Sequence, residues 1–185
     1  MLILASASPR RREILANAGL RFRARPARVE EIRRRGEGAE EYARRLAWEK
    51  AHAIPLGRGE VILAADTIVL VDKRVLQKPS GEADARRMLR ALSGRWHEVL
   101  TAYCLRSERE VVLGVERTRV HFLRLSRADI DDYVAGGEPL DKAGAYAIQG
   151  LASKFIDCIE GCYFNVVGLP VARVAAEYRR ISGIE

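Results

Sequence analysis

The sequence predicts a single α/β domain over residues 1–185. An apolar run, Leu2–Ala5, leads directly into the start of a helix, and a longer apolar run follows at Val61–Val71. Segments with helical periodicity stand between these runs and after them. Because 48% of the residues are hydrophobic and no repeat, low-complexity segment or linker interrupts the chain, we expect one core or two closely joined lobes.

The first strand and the first helix form the most informative stretch. Leu2–Ala5 is too short for a helix and lacks polar alternation, as expected for a strand that is buried on both faces. Ser6 and Ser8 can cap the helix that follows, and Pro9 suits its first position. Arginines at positions 10–12 are unfavourable there, because each cation beside a helix N-terminus costs about 0.3–1 kcal/mol. A bound anion such as phosphate would explain them; otherwise they extend into solvent.

The next segment carries acidic residues that could serve as partners for these arginines. Phe22–Val29 is predicted to be extended and ends at Glu30 and Glu31. A polar loop then leads to a helix over Glu40–Ala53. The two glutamates form either a solvated acidic turn or part of a site with the basic segment.

Asp66 is the charged residue within the apolar run Val61–Val71. A carboxylate buried among such residues costs several kcal/mol unless a cation or hydrogen-bond donors accept it. Because ligands of open α/β sheets bind at the ends of central strands, Asp66 is predicted to be a site residue, with a structural hydrogen-bond acceptor as the alternative. The chain turns at Asp72 and returns through Val75–Pro79. Lys78 therefore lies either near Asp66 or on the ordinary surface.

Periodicity and turn signals predict the remaining elements. Helices are expected over Gly81–Leu92, from the capping box at Ser126 to Ala135, and after Pro170. Strands are expected at His97–Leu105, Glu110–Val115 and Thr118–Leu125, and a hairpin is expected to pair Phe155–Ile159 with Tyr163–Val167.

The mixed segment Glu138–Gly150 is predicted to be a recognition loop. It is too long and too varied in composition for a simple connection, and loops of this kind carry binding groups. Lys142 offers a charge, Gln149 offers an amide that both donates and accepts hydrogen bonds, and the glycines allow close approach.

The positive charge of the chain is concentrated at its N-terminal end. Residues 1–45 contain twelve Lys and Arg against six Asp and Glu, whereas the remainder contains twenty against nineteen. This distribution suits an anionic ligand or nucleic acid, but the few aromatic residues and the lack of a nucleic-acid-binding module disfavour nucleic acid. No apolar stretch has the length of a membrane span and no signal-peptide pattern is present, so we expect a cytoplasmic protein that does not contact a membrane.

Six short motifs resemble those of the Maf family. In chain order they are Leu4–Arg11 (LASASPRR), Ala65–Thr67 (ADT), Lys78–Pro79 (KP), Gly137–Tyr146 (GEPLDKAGAY), Ile148–Gly150 (IQG) and Asn165–Pro170 (NVVGLP). Since the motifs occur in the same order over essentially the whole chain, the resemblance is far more specific than a single glycine pattern.

The resemblance implies a fold and an activity. The implied fold is a mixed twisted sheet with flanking helices, similar to that of inosine triphosphatases, with two lobes around a central cleft. The implied activity is that of a nucleoside triphosphate pyrophosphatase, which hydrolyses the bond between the α- and β-phosphates and so cleans the nucleotide pool. The recognition loop resembles that of the branch acting on dTTP and UTP, and modified pyrimidine nucleotides are further candidate substrates.

The resemblance also implies catalytic and metal-binding roles. Asp66 corresponds to the proton acceptor of the family, and Lys78 and Glu31 correspond to further active-site groups. A divalent cation, Mg²⁺ or Mn²⁺, would be held by Asp66 and Glu31 and would neutralise charge that builds up on the phosphates.

Further positions are implied to bind the nucleoside triphosphate substrate. The predicted substrate-binding residues are Ser6, Arg10, Arg11, Thr67, Lys142 and Gln149. Arg10, Thr67 and Gln149 match the positions that set substrate specificity in the family.

Two other functions remain open at this level, and a homodimer is implied. The sister branch of the family takes 7-methyl-GTP and has a different recognition loop. A non-enzymatic regulator of septum formation would act through nucleic acid or a protein partner, and it would not need the combination of carboxylates and arginines. The preferred nucleotides in a pyrophosphate-release assay distinguish these functions.

Overall fold

The protein is built on a mixed β-sheet with helices beside it. The computed structural model describes residues 1–183. Within them the strands are β1 (Leu2–Leu4), β2 (Phe22–Ala24), β3 (Val61–Val71), β4 (Arg74–Leu76), β5 (Trp96–Arg106), β6 (Val111–Phe122) and β7 (Ile156–Glu160). Their order in the sheet is β2-β1-β3-β5-β6-β7, and β4 pairs with β3 outside this path.

The sheet contains both parallel and antiparallel pairs. β1 is parallel to β2 and to β3, in a register that places Leu2 opposite Phe22 and Val61. β4 is antiparallel to β3, and β7 is antiparallel to β6. Parallel strands connected through helices are typical of α/β proteins, and the predicted fold class is confirmed.

The helices account for most of the segments that connect the strands. They are α1 (Pro9–Asn17), α2 (Ala39–His52), α3 (Glu82–Leu92), α4 (Arg127–Ala135), α5 (Tyr163–Val167) and α6 (Val171–Ser182), and short 3₁₀ segments lie at Glu138–Asp141, Ala143–Ala145 and Leu151–Phe155. Among the described helices, none is both long and apolar enough to cross a membrane.

The chain divides into two compact units. Unit 1 comprises Met1–Thr67, Thr101–Glu116 and the chain from Gly168 onward, and unit 2 comprises Ile68–Leu100 and Arg117–Val167. The core of unit 1 includes Leu15, Leu46 and Leu63, and that of unit 2 includes Leu89 and Phe122, all essentially inaccessible to solvent. The cleft between lobes and the single domain over residues 1–185 remain predictions; of that range, positions 184 and 185 lie outside the described residues.

Local sequence signals explain the elements that position the site. Ser8 caps α1 by accepting a hydrogen bond from the backbone N–H of Arg11 (3.4 Å), and Pro9 is the first helical residue, as predicted. In α4, Ser126 and Asp129 form the predicted capping box. β3 has the predicted bounds, Val61–Val71, and its residues are buried apart from the partly exposed Thr67.

Two predictions of secondary structure are wrong. The hairpin fails because Tyr163–Val167 is helix α5, and only the strand before it, β7, pairs with β6. The two strands expected at Glu110–Val115 and Thr118–Leu125 are the single strand β6. The segment Phe22–Val29, predicted to be extended, contains strand β2 over Phe22–Ala24.

Candidate active site

In unit 1, one lysine connects the two carboxylates that were predicted to bind a metal. The Nζ atom of Lys50 lies 2.6 Å from Oδ1 of Asp66 and 2.6 Å from Oε1 of Glu31. Asp66 belongs to β3 and is 6% exposed, whereas about half of the Glu31 side chain is accessible. A buried and a solvent-facing carboxylate therefore share a single cation.

The amphipathic pattern of α2 explains why Lys50 points inward. Tyr42, Leu46 and Lys50 follow one another at intervals of four residues and so lie on one stripe of the helix. Tyr42 and Leu46 are buried, and the side chain of Lys50 is 12% exposed. The Tyr42 hydroxyl also donates a hydrogen bond to the backbone oxygen of Glu31 (2.8 Å), which fixes the segment that carries the second carboxylate.

The electrostatics around Asp66 combine burial with nearby cations. Burial raises the pKa of the Asp66 carboxyl above its ordinary value, and the Lys50 ammonium opposes this shift, with a smaller opposing contribution from Arg11. Burial likewise lowers the pKa of Arg11, while Asp66 and Glu31 act in the opposite direction. The carboxylate is thus placed where its proton affinity responds strongly to the charge beside it.

Arg11 forms a second cluster in unit 1. Its Nε donates to the backbone oxygen of Gly168 (2.8 Å), one terminal nitrogen donates to Ser6 Oγ (3.2 Å), and the other donates to Thr67 Oγ1 (3.0 Å). Ser6 also accepts a hydrogen bond from the backbone N–H of Ser8 (3.2 Å). Arg11 therefore joins the start of α1, strand β3 and the start of the C-terminal segment.

The arginines at the start of α1 have different environments. Arg10 is partly exposed and Arg12 is exposed, whereas Arg11 turns back onto the protein. The sequence left two possibilities, a bound anion or extension into solvent; Arg11 does not extend into solvent, and anion binding stays a prediction. Its guanidinium is hydrogen-bonded to protein oxygens.

Thr67 lies next to Asp66 and is tied to a residue that the sequence did not identify. Its Oγ1 lies 2.9 Å from Oγ1 of Thr101 on β5 and 3.4 Å from the backbone oxygen of Gly168. Thr101 is inaccessible to solvent. This contact fixes the side chain of Thr67, a predicted substrate-binding residue.

Unit 2 contains the remaining predicted residues. Lys78 is exposed and follows β4, and the neighbouring Gln77 accepts a hydrogen bond at its backbone oxygen from Gly144 N (3.2 Å). The segment with Lys78 thus runs beside the segment with Lys142. The ammonium of Lys142 contacts the carboxylate of Asp141 and the backbone oxygen of Glu138, so it is directed onto its own loop.

Gln149 lies at the tip of a turn in the recognition loop and is exposed. The turn is closed by a hydrogen bond from Gly150 N to the backbone oxygen of Ala147 (3.0 Å). The neighbouring Ile148 is buried, whereas Gln149 is accessible to solvent.

The structure brings the predicted residues of unit 1 into two clusters. One cluster joins Glu31 and Asp66 through Lys50, and the other joins Ser6 and Thr67 through Arg11. Because Asp66 and Thr67 are adjacent on β3, the clusters are contiguous. Arg10 lies on α1 next to Arg11, while Lys78, Lys142 and Gln149 belong to unit 2.

The carboxylates of Glu31 and Asp66 fit the predicted cation. Within residues 1–183, no group of three or more His, Cys, Asp and Glu side chains is placed to hold a metal ion. Nevertheless, oxygens of Glu31 and Asp66 already converge on one positive charge, the ammonium of Lys50. Two carboxylates with further oxygens from a phosphate match the way in which Mg²⁺ is usually bound.

Sequence reasoning missed Lys50, although a signal for it existed. A lysine in the last turn of a helix is usually assigned to the solvent face, where it favours the helix dipole. Here the spacing from Tyr42 and Leu46 places it on the buried stripe. A charged residue at an apolar position of a helix is the same kind of anomaly that identified Asp66 in its strand.

Comparison with known proteins places this architecture in a family. A family model described as Maf-like protein matches residues 1–181. The chain belongs to the Maf family. The six motifs that suggested this relationship lie within the matched residues, and Asp66, Thr67 and Arg11 from these motifs take part in the two clusters of unit 1.

Similar proteins support the same assignment. A Maf relative from Koribacter versatilis (strain Ellin345) is 51% identical over 180 residues, which cover 97% of this chain and 93% of the relative. A second, from Anaeromyxobacter dehalogenans (strain 2CP-1 / ATCC BAA-258), is 54% identical over 184 residues with the same coverage. Both are named dTTP/UTP pyrophosphatase. The solved structure of a HAM1 protein from Coxiella burnetii shares the fold, with a TM-score of 0.51, 16% identity and coverage of 97% of this chain and 98% of that chain.

Proposed function

We propose that this protein is a nucleoside triphosphate pyrophosphatase that hydrolyses dTTP and UTP to the monophosphate and pyrophosphate. The observation that carries the proposal is the identity of about half of all positions, over 97% of the chain, to relatives named dTTP/UTP pyrophosphatase. Removal of these nucleotides, and of modified forms of them, would clean the nucleotide pool.

The clusters of unit 1 provide groups suited to this reaction. Asp66 is buried and carries an acceptor oxygen, so it can orient an attacking water and receive its proton. Lys50 and Arg11 supply positive charge within hydrogen-bonding reach of the same strand, where charge on a phosphate is stabilised most effectively. Ser6 and Thr67 are fixed by Arg11 and offer hydroxyl groups to a phosphate or a sugar.

A divalent cation, Mg²⁺ or Mn²⁺, would be held by Asp66 and Glu31. When bound, it would neutralise negative charge on the phosphate oxygens during cleavage. Lys50 contacts both carboxylates. Its ammonium would also supply positive charge to a phosphate oxygen bound beside Asp66.

Other roles rest on the family resemblance. Lys78 is proposed as a catalytic residue, and Arg10 and Lys142 as substrate-binding residues. Gln149 is proposed to read the pyrimidine edge, since an amide that pairs with one base leaves polar groups unpaired with another. A cytoplasmic location and a homodimer likewise remain proposals.

The activity is tested by pyrophosphate release from purified protein with dTTP, UTP, CTP, dATP and 7-methyl-GTP, each with Mg²⁺, with Mn²⁺ and with a chelator. We expect the highest kcat/KM with dTTP and UTP. Preference for 7-methyl-GTP would instead assign the protein to the sister branch, and the absence of turnover with every nucleotide would refute the proposal in favour of a non-enzymatic regulator.

Asp66→Asn tests the central residue. The amide of asparagine cannot take up the proton of the attacking water, so kcat for dTTP should fall by roughly 10²- to 10⁴-fold, the usual contribution of a general base. The matched control is Asp72→Asn, in the turn after β3, where the carboxylate is exposed and pairs with Arg95. Asp72 has a positive φ of 48°, which asparagine also tolerates, so this control should leave kcat unchanged. An Asp66→Asn protein with wild-type kcat would remove Asp66 from the mechanism.

A further inference from the structure

The turn that carries Gln149 is held on both sides by a tyrosine and a glutamate. The backbone N–H of Ala147 donates to the Tyr133 hydroxyl (3.2 Å), and the backbone N–H of Leu151 donates to Oε2 of Glu138 (3.1 Å). The Tyr133 hydroxyl in turn donates to Oε1 of Glu138 (2.7 Å). Tyr133 and Glu138 therefore form one bridge between the residues two positions before and two positions after Gln149.

The contact between Glu138 and the turn accounts for the glycine at position 150. Gly150 has a φ of −102°, which any residue can adopt, so its backbone does not require glycine. A Cβ atom there would lie 2.3 Å from both carboxylate oxygens of Glu138. A side chain at position 150 would therefore displace the Glu138 carboxylate, which packs directly against the turn.

The surroundings of the bridge keep it intact. Tyr133 is 3% exposed, and its ring contacts Phe155 edge to face at 5.6 Å. Burial raises the pKa of the Tyr133 hydroxyl, and the hydrogen bond to Glu138 raises it further, so the hydroxyl stays protonated and donates. Because both carboxylate oxygens of Glu138 accept a hydrogen bond, a change at either partner alters the support of the turn.

We propose that Tyr133 and Glu138 are positioning residues that fix Gln149 for recognition of the nucleotide base. The inference rests on the proposed function. An exposed glutamine on a short turn has many side-chain and backbone orientations, and fixing the flanking peptides reduces them before the nucleotide binds. Tyr133 and Glu138 act through Gln149 and need not touch the substrate themselves.

The test compares nucleotides in variants of the bridge. In Glu138→Gln one acceptor oxygen is replaced by an NH₂ group, which cannot accept from Tyr133 or Leu151. Tyr133→Phe removes the hydroxyl, and Gly150→Ala displaces the carboxylate. The kcat/KM ratio for dTTP over CTP should fall by about tenfold in Glu138→Gln and Gly150→Ala, and by less in Tyr133→Phe, because small misplacements of a positioned group have effects of this size.

The ratio of kcat/KM for dTTP to kcat/KM for CTP distinguishes a loss of Gln149 positioning from a loss of folded protein. If a variant is only less folded, kcat/KM falls by the same factor for both nucleotides and the ratio stays constant. The matched control is Glu160→Gln on β7, where the carboxylate is exposed and pairs with Arg119. This control should retain the wild-type ratio.

A double variant shows whether the effect passes through Gln149. In a Gln149→Ala background the ratio is already reduced, and adding Glu138→Gln should reduce it no further. A wild-type ratio in Glu138→Gln and Tyr133→Phe, or full additivity with Gln149→Ala, overturns the inference while the proposed function stands. A wild-type enzyme that does not prefer dTTP over CTP overturns both.

Discussion

Arg11 donates from its guanidinium to three oxygens that lie far apart in the sequence: Ser6 Oγ, Thr67 Oγ1 and the backbone oxygen of Gly168. A planar group with several fixed donors can satisfy such a set, whereas an ammonium on a flexible chain cannot do so with the same geometry. The residue therefore does more than contribute positive charge, because it sets the positions of two hydroxyl groups that we propose contact the substrate.

Arg11→Lys keeps the positive charge and removes the planar set of hydrogen-bond donors. We expect kcat/KM for dTTP to fall by roughly 10- to 100-fold, because Ser6 and Thr67 lose their common donor. We also expect the free energy of unfolding, measured in urea, to decrease by about 1–3 kcal/mol as partly buried acceptors lose their partner.

Arg12→Lys serves as the control, since Arg12 is the next residue of α1 and is exposed. It should match the wild-type protein in both measurements. If Arg11→Lys also behaved like the wild type, the arrangement of hydrogen bonds around Arg11 would have no bearing on turnover.

Single residues of the candidate site were predictable from sequence where they broke a local pattern. Asp66 stands out because a charge in an apolar strand needs a partner. Lys50 could have been found by the same reasoning on the stripe of α2. The contact of Arg11 with Gly168, 157 positions away, is set by the tertiary fold, and no local pattern contains it.

Among the elements, the recognition loop depends on a close approach to β3. Gly144 has a φ of +71°, and a Cβ atom there would lie 2.8 Å from Cγ2 of Val69. Gly137, the residue just before this loop, has a φ of +76° but no heavy atom within 4 Å of such a Cβ. The two glycines share a backbone conformation and differ in their surroundings.

Replacing each glycine with alanine should separate the cost of the left-handed backbone conformation from the cost of overlap with Val69. Gly137→Ala should lower the free energy of unfolding by about 1–2 kcal/mol, the cost of a left-handed conformation for an L-residue. Gly144→Ala should lower it by roughly 1–3 kcal/mol more, because the new methyl group overpacks against Val69. Urea unfolding of both variants measures the difference.

Val69→Ala added to Gly144→Ala tests the origin of the extra loss. The smaller side chain should relieve the overlap, so the double variant should be more stable than the sum of the two single losses predicts. Equal stability of Gly137→Ala and Gly144→Ala would contradict the close approach.

Elements with a strong local signal were predicted well, and those shaped by tertiary contacts were not. β3 was predicted with its observed bounds, and the observed α2 and α3 begin or end within one residue of expectation. In contrast, Tyr163–Val167 contains aromatic and β-branched residues that favour a strand, yet it forms a helix. The side chain of Asn165 in this helix is inaccessible to solvent and donates to the backbone oxygen of Val99 and to Thr118 Oγ1, which fixes the helical conformation.

Tertiary contacts also override the local pattern in strand β6, where charged residues make these contacts. Glu116 and Arg117, which lie between the two predicted strands, belong to the continuous strand β6. Arg117 pairs with Glu98 on β5 (2.6 Å), and Glu116 pairs with Arg173 on α6. The pair between Arg117 and Glu98 joins neighbouring strands and so favours the strand conformation at Arg117.

At the scale of the whole molecule, the distribution of charge matches an anionic substrate. The chain has a formal net charge of +7, and residues 1–45, which belong to unit 1, contribute +6 of it from twelve basic and six acidic residues. A field of this kind raises the local concentration of a highly charged ligand and weakens as salt is added.

The charge distribution therefore predicts that kcat/KM depends on salt concentration and that the positive charges of the N-terminal segment cause this dependence. Between about 20 and 300 mM NaCl, kcat/KM for dTTP should fall by roughly 3- to 10-fold with little change in kcat, because screening weakens the attraction of the substrate and leaves the chemical step unaffected.

Replacing the exposed Arg28 and Arg35 together, as Arg28→Gln/Arg35→Gln, should make kcat/KM less dependent on salt. The matched pair Arg90→Gln/Arg124→Gln removes the same charge from exposed positions in unit 2 and should retain a steeper dependence, since the segment beyond residue 45 is nearly neutral overall. Identical salt slopes for the two double variants would show that only the total charge matters, and a slope of zero in the wild type would show that the positive field does not assist substrate capture.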